Sequence, residues 1–149
     1  MKDDKLNFTD GSAVSVIMPV FNAATTLKRA VASVQAQIWL EWELILIEDG
    51  STDGSAEICA FLAAGDPRIH RVGQVGNSGA AAARNAGMQS ARGRYIAFLD
   101  ADDEWLPEKL SRQIAFMEAK NASFSYTGFW RQRGEIRHRV RVPAYTDRA

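Results

Sequence analysis

The sequence predicts a three-layer α/β/α domain built on a mostly parallel sheet. Short β-rich apolar runs alternate with longer stretches whose apolar residues recur at helical spacing, the pattern left by successive βαβ units. Three of the apolar runs stop abruptly at polar or acidic residues, as strands do where their carboxyl ends form the ligand-binding rim of an open sheet. The last two extended runs have no clear helix between them, which predicts an antiparallel edge.

Taken in order, Ala13 to Val20 is the first strand, and its carboxyl end carries Pro19, then Phe21 and Asn22. Leu27, Ala30, Val31, Val34 and Ile38 share one helical face, with Lys28 and Arg29 off it. Trp39 to Glu43 is a turn into a second short buried strand, Leu44 to Ile47. That strand ends in Glu48-Asp49-Gly50-Ser51-Thr52-Asp53-Gly54. Ser51, Thr52 and Asp53 are candidate caps for a helix running through Ile58, Phe61 and Leu62. Gly65-Asp66-Pro67 breaks that helix, and Ile69 to Val72 is a weaker third strand. The loop Gly73 to Gly79 leads to an alanine-rich helix, Ala80 to Ala91, which carries Arg84 and Asn85. Tyr95 to Leu99 is an unbroken apolar and aromatic run that suits a central strand buried on both faces. Pro107 marks the start of a helix with Leu110, Ile114 and Met117 at helical spacing, and Asn121 ends it. Ser123 to Phe129 reads as a strand. Glu135 to Val142 alternates, with Ile136, His138, Val140 and Val142 on one side and Glu135, Arg137, Arg139 and Arg141 on the other.

A chain of 149 residues fits one domain and is long enough to bury a core without covalent staples. The expected domain is 13–143, between polar tails at 1–12 and 144–149. With 18 basic and 18 acidic residues, nothing in the overall charge points to nucleic acid. No run reaches the apolar length of a membrane span, and no signal peptide is visible. Cys59 is the sole cysteine, so no internal disulfide can form, as suits a reducing compartment. It falls inside a helical pattern and reads as a small core residue rather than a nucleophile.

The chemistry gathers after Leu99. Asp100-Ala101-Asp102-Asp103 places three carboxylates within four positions. Carboxylates this close repel one another unless protons or a cation intervene. Hard oxygen ligands of this kind suit Mn²⁺ or Mg²⁺, usually shared with substrate phosphates. The competing reading is a solvated loop whose acids cap the next helix. Asn22 and Glu48-Asp49 should lie on the same rim, and Arg84 supplies a cation. Such a set meets the needs of a nucleotide: hydrogen bonds for a base, a metal for the diphosphate and a positive charge near phosphate. The glycine-rich loop before Arg84 matches neither the dinucleotide fingerprint nor a P-loop, and it reads as a turn into the helix at Ser78.

Four segments, in order, resemble the nucleotide-binding part of a GT-A fold, family 2 glycosyltransferase. They are Ser15 to Asn22, Glu43 to Asp53, Asn77 to Gly87 and Leu99 to Asp103. The resemblance implies a Rossmann-like GT-A nucleotide-diphospho-sugar transferase fold over nearly the whole chain. It implies that Asp49 accepts a hydrogen bond from uracil and that Pro19, Phe21 and Asn22 line the nucleoside pocket. Arg84 would stand near the diphosphate. Asp100 would reach the ribose or sugar, and Asp102 would ligate Mn²⁺ or Mg²⁺. Asp103 is either part of that cluster or a cap of the helix at Pro107. Glu48 departs from the family, which often has Asp there. The implied activity is inverting transfer from a nucleotide-diphosphate sugar to a carbohydrate or lipid-linked acceptor. The implied place is the cytoplasm, at the inner face of the membrane, with peripheral membrane contact and self-association both compatible. No residue stands in the family's general-base motif, so a binding fragment without turnover is the alternative. A receiver-like signalling domain would need a Lys at a late strand end, and none follows Ser123 to Phe129. The alternating arginines near the end suit either a charged edge strand or an anionic lipid-linked partner. Trp105 and Trp130 read as rim or core aromatics rather than a sugar platform.

Overall fold

The computed structural model describes residues 14–73 and 77–141. The expected tails, Ala13, Val142, Pro143 and part of the Gly73 to Gly79 loop lie outside the described residues. The chain divides into two compact units, residues up to Ser111 and residues from Arg112 on.

The first unit holds β1 (Val14–Val20), α1 (Leu27–Gln35), β2 (Trp42–Glu48), α2 (Ser55–Gly65), β3 (Ile69–Gly73), α3 (Ala80–Ser90) and β4 (Tyr95–Phe98). The four strands are all parallel, in the order β3-β2-β1-β4. The chain therefore steps outward from β1 to β3, then returns through α3 to the far side of β1. With right-handed crossovers, this reversal sets α1 and α2 on one face and α3 on the other. It also puts a topological switch point between the carboxyl ends of β1 and β4, where open α/β sheets bind ligands. Val20 pairs with Glu48, so the ends of β1 and β2 are level.

Part of the core lies where β1 and β2 meet α3. Ile17, Ile45, Ile47 and Ala83 form a buried apolar cluster. Gly87 lets the helix sit that low, because a Cβ there would stand 2.4 Å from Ile17 Cγ2. Gly87→Ala gains up to about 1 kcal/mol of helix propensity but forces an overpacked core costing about 1–3 kcal/mol. A lower Tm is expected, with partial recovery in the Gly87→Ala/Ile17→Val double variant, measured by thermal unfolding.

A buried polar node closes the other end of the sheet. Glu43, 1 % exposed, accepts from Ser15 Oγ at 2.6 Å and from the Arg92 N–H at 2.9 Å. Ser15 Oγ in turn accepts from the N–H groups of Arg92 and Gly93, at 3.1 and 2.8 Å. His70 Nε2 lies 3.5 Å from the second Glu43 oxygen. The α3–β4 turn is thus fastened to the starts of β1 and β2.

Several expectations are corrected. β4 is an edge strand of the four-stranded sheet, not a buried central one, and Ile96 and Phe98 on it are 44 % and 46 % exposed. Leu99, past the strand end, is the buried residue of that run. Trp42 and Glu43 belong to β2 and are buried rather than forming a turn. α1 stops at Gln35, and Ile38 beyond it is exposed. In α2 the core-facing position is Cys59, while Phe61 is exposed. Burial, and secondarily Glu48, pushes the Cys59 thiol up to about 11, which leaves it inert at neutral pH.

The second unit contains most of α4 (Lys109–Lys120) and an antiparallel hairpin, β5 (Phe129–Arg133) and β6 (Ile136–Val140). The expected antiparallel pair is present as its own two-stranded sheet. Ser123 to Gly128 is not strand, and the extended run begins only at Phe129. The ladder partner that an extended chain needs is available from Phe129 on.

Candidate functional site

The loops after β1, β2 and β4 and the start of α3 enclose a cavity of about 490 Å³. Pro19, Phe21, Asn22, Asp49, Arg84, Asp100 and Asp102 all line it, and Ala23, Thr25, Asn77 and Ala83 join them. Each singled-out residue reaches it for a local reason.

Asn22 has φ 48°, a left-handed conformation that Asn tolerates better than most residues. Its amide oxygen accepts from the Thr52 N–H at 2.9 Å, and its own N–H donates to Ser51 Oγ at 3.1 Å. Alongside, Ala23 N–H donates to Ser55 Oγ and Ala24 N–H to Asp53 Oδ2, each at 2.9 Å. Asp53 also receives Ser55, whose hydroxyl holds that carboxyl below its usual value. Glu48 accepts the Ser51 N–H at 2.6 Å, so the longer acid in place of Asp reaches the turn directly. The β1–α1 and β2–α2 loops are therefore braced against each other, and the Asn22 oxygen is part of that brace.

Asp49 is 2 % exposed and accepts two backbone N–H groups, Ser78 on Oδ1 and Gly79 on Oδ2, each at 2.8 Å. These are the orphan donors at the start of α3, whose N-cap, Gly79, has no side chain to satisfy them. Asp49 thus caps a helix about 30 residues away in sequence, a role that no local motif could have disclosed. A carboxylate has about four acceptor sites, so capacity for another donor remains.

Arg84, on the first turns of α3, forms an ion pair with Asp100 at 2.6 Å. After Leu99 the chain makes a turn closed by Asp103 N–H donating to the Asp100 carbonyl at 3.0 Å, with Ala101 buried beneath it. Burial, then Asp102 and Asp100, push the Asp103 carboxyl up from its ordinary value. The three acids Asp100, Asp102 and Asp103 thus stand close together with Arg84 paired to one of them. Among the described residues, no three His, Cys, Asp or Glu side chains converge to hold a metal ion. The donor set fits Mn²⁺ or Mg²⁺ held by one carboxylate together with diphosphate oxygens, not a site formed by protein alone.

The segment beyond the acids is held to α1 by residues that the sequence did not single out. Gln37, 2 % exposed, donates to the Leu106 carbonyl at 2.8 Å and accepts from the Leu110 N–H at 3.0 Å. Arg29 pairs with Glu104 at 2.6 Å. Trp105 does not line the cavity; Lys109 Nζ lies 3.6 Å over its ring.

Comparison with known proteins agrees with this architecture. A solved structure of S. aureus TarS 1–349 in complex with UDP-GlcNAc superposes with a TM-score of 0.67 at 26 % identity, over 73 % of this chain and 32 % of that one. The Pyrobaculum calidifontis mannosyltransferase PcManGT, solved with GDP-Man and Mn²⁺, shares the fold with a TM-score of 0.66 at 22 % identity, over 77 % of this chain and 33 % of that one. Bacillus subtilis TuaG, a glycosyltransferase named for teichuronic acid biosynthesis, is 46 % identical over 116 residues, 78 % of this chain and 46 % of its own. Escherichia coli WfgD, named as a UDP-Glc:α-D-GlcNAc-diphosphoundecaprenol β-1,3-glucosyltransferase, is 40 % identical over 120 residues, 80 % of this chain and 47 % of its own. The chain thus spans about half the length of these two relatives. The model of the family described as glycosyl transferase family 2 matches residues 15–148, and with the sheet, the switch point and the acid-lined cavity in place, the chain belongs to that family.

Proposed function

We propose that this chain binds a uridine diphosphate sugar together with Mn²⁺ or Mg²⁺, for inverting transfer to an acceptor hydroxyl in polysaccharide or glycoconjugate synthesis. The observation that carries the reading is the convergence on one cavity of Asp49, Arg84, Asp100 and Asp102 from two separate strand ends and a helix. Asp49 would accept a ring N–H, as uracil offers. Arg84 would exchange part of its pairing with Asp100 for a phosphate oxygen. Asp102 would hold the metal, which when bound stabilises negative charge on the departing diphosphate. The uridine donors in the names of WfgD and of the TarS complex support a uridine donor here. The diphosphoundecaprenol acceptor in the name of WfgD supports a lipid-linked acceptor here. No described helix is long and apolar enough to cross a membrane.

The acids of the cavity also favour a second reading, nucleotide-sugar binding without turnover by these residues alone. Asp49 is engaged by two N–H groups, Asp100 by Arg84, and Asp102 by the proposed metal. None is left to take a proton from an acceptor hydroxyl. A transfer assay with a mixed panel of acceptor sugars separates the two.

For the binding itself, calorimetry with UDP should show affinity raised at least tenfold by Mn²⁺. Asp102→Asn should remove that enhancement while leaving the Tm unchanged. Metal-dependent binding that survives in Asp102→Asn would remove Asp102 from the ligand role.

A further inference from the structure

The β5–β6 hairpin concentrates charge in an otherwise balanced chain. From Phe129 to Arg141 there are five arginines, no lysine and a single acid, Glu135, at the turn. Since the whole chain is neutral, the rest of it carries the matching negative surplus. Every residue from Phe129 to Arg139 is exposed. The register sets Phe129, Arg131, Arg133, Ile136, His138 and Val140 on one face, and Trp130, Gln132, Arg137 and Arg139 on the other. No acid stands opposite an arginine in that ladder.

Protection of an exposed strand edge accounts for the arginines. It does not account for Trp130, 55 % exposed on the face that carries Arg137 and Arg139, nor for Phe129 and Ile136, 48 % and 61 % exposed on the opposite face. Large apolar side chains interleaved with cations are what a bilayer interface takes up. Aromatic rings settle at headgroup level, and guanidinium groups bind phosphodiesters through paired N–H donors. The use of Arg throughout, with no Lys, favours phosphate recognition over generic solubility.

We propose that this hairpin docks the protein on an anionic lipid bilayer, with arginines on headgroup phosphates and Trp130 inserted at the interface. None of the hairpin's residues lines the cavity described above, and the proposal does not depend on how that cavity is read.

The test is co-sedimentation of the full chain with phosphatidylglycerol-containing vesicles and with pure phosphatidylcholine vesicles. Binding is expected only to the former. It should be lost on raising salt from about 0.1 M to 1 M, as the screening length falls from about 10 Å to 3 Å. Arg137→Glu/Arg139→Glu should reduce it more than tenfold, and Arg137→Gln/Arg139→Gln severalfold, with Tm measured for each. Trp130→Phe should remove the vesicle-induced blue shift of tryptophan emission. Equal binding to both vesicle types, or binding indifferent to the neutral and reversed variants alike, would overturn the proposal. So would salt-resistant self-association abolished by Trp130→Ser without any vesicle binding, which would assign the surface to a second copy of the chain.

Discussion

Asp49→Ala should lower the Tm on the order of 10 °C and weaken UDP binding by tenfold or more. The first effect follows from capping. Two charge-assisted hydrogen bonds, each worth about 1.5–3 kcal/mol, hold the start of α3, and the carboxylate faces the positive end of that helix. Not all of that is lost, because Gly79 also donates to Asn77 Oδ1 at 3.2 Å. A net loss of about 3 kcal/mol is reasonable for a chain of this size. The second effect has two sources, the missing acceptor for the base and a displaced α3 that carries Arg84. Asp49→Asn separates them. It keeps one acceptor oxygen for the helix but sets an NH₂ against the other N–H, so it should recover part of the Tm and little of the affinity. Thermal unfolding and calorimetry on both variants decide the matter. Full affinity in Asp49→Ala would leave Asp49 a purely structural residue.

Glu43→Ala should be the most destabilising single change at the opposite end of the sheet. It removes the acceptor from Ser15 Oγ and from the Arg92 N–H inside the protein, and it leaves His70 without its acidic neighbour. Truncating one member of a buried charged network costs about 3–5 kcal/mol. Glu43→Gln, which keeps an acceptor for the same donors, should cost less than half as much. Denaturant unfolding measures both. UDP affinity of the folded fraction should stay within about twofold of the unsubstituted protein, because the node is remote from the cavity. An unchanged unfolding midpoint in Glu43→Ala would show that the network contributes nothing net.

The legible part of this protein was its rim. Apolar runs ending at Asn22, Asp49 and Asp100 identified strand ends, and a parallel sheet brings such ends to one side. What the sequence hid was set by tertiary neighbours. The run Tyr95 to Leu99 is equally apolar whether it lies in the middle of a sheet or at its edge, and only the strand order places it at the edge. Phe61 obeys a plausible helical spacing, but the helix turns Cys59 inward instead. Asp49 and Asn22 were marked as ligand groups by type and position. Their hydrogen bonds to Gly79 and Thr52 join residues about 30 apart, beyond the reach of any periodicity.

The brace between the first two loops changes when ordering is charged to the free energy. Fixing one residue's backbone costs on the order of 1–2 kcal/mol. For Asn22, Ala23 and Ala24, and for Ser51, Thr52, Asp53 and Ser55 opposite them, that entropy is surrendered as the chain folds, since their backbone N–H groups or side chains are already committed to one another. On the proposed reading, an arriving nucleotide would meet walls that are already set, and less of its contact energy would be consumed in setting them.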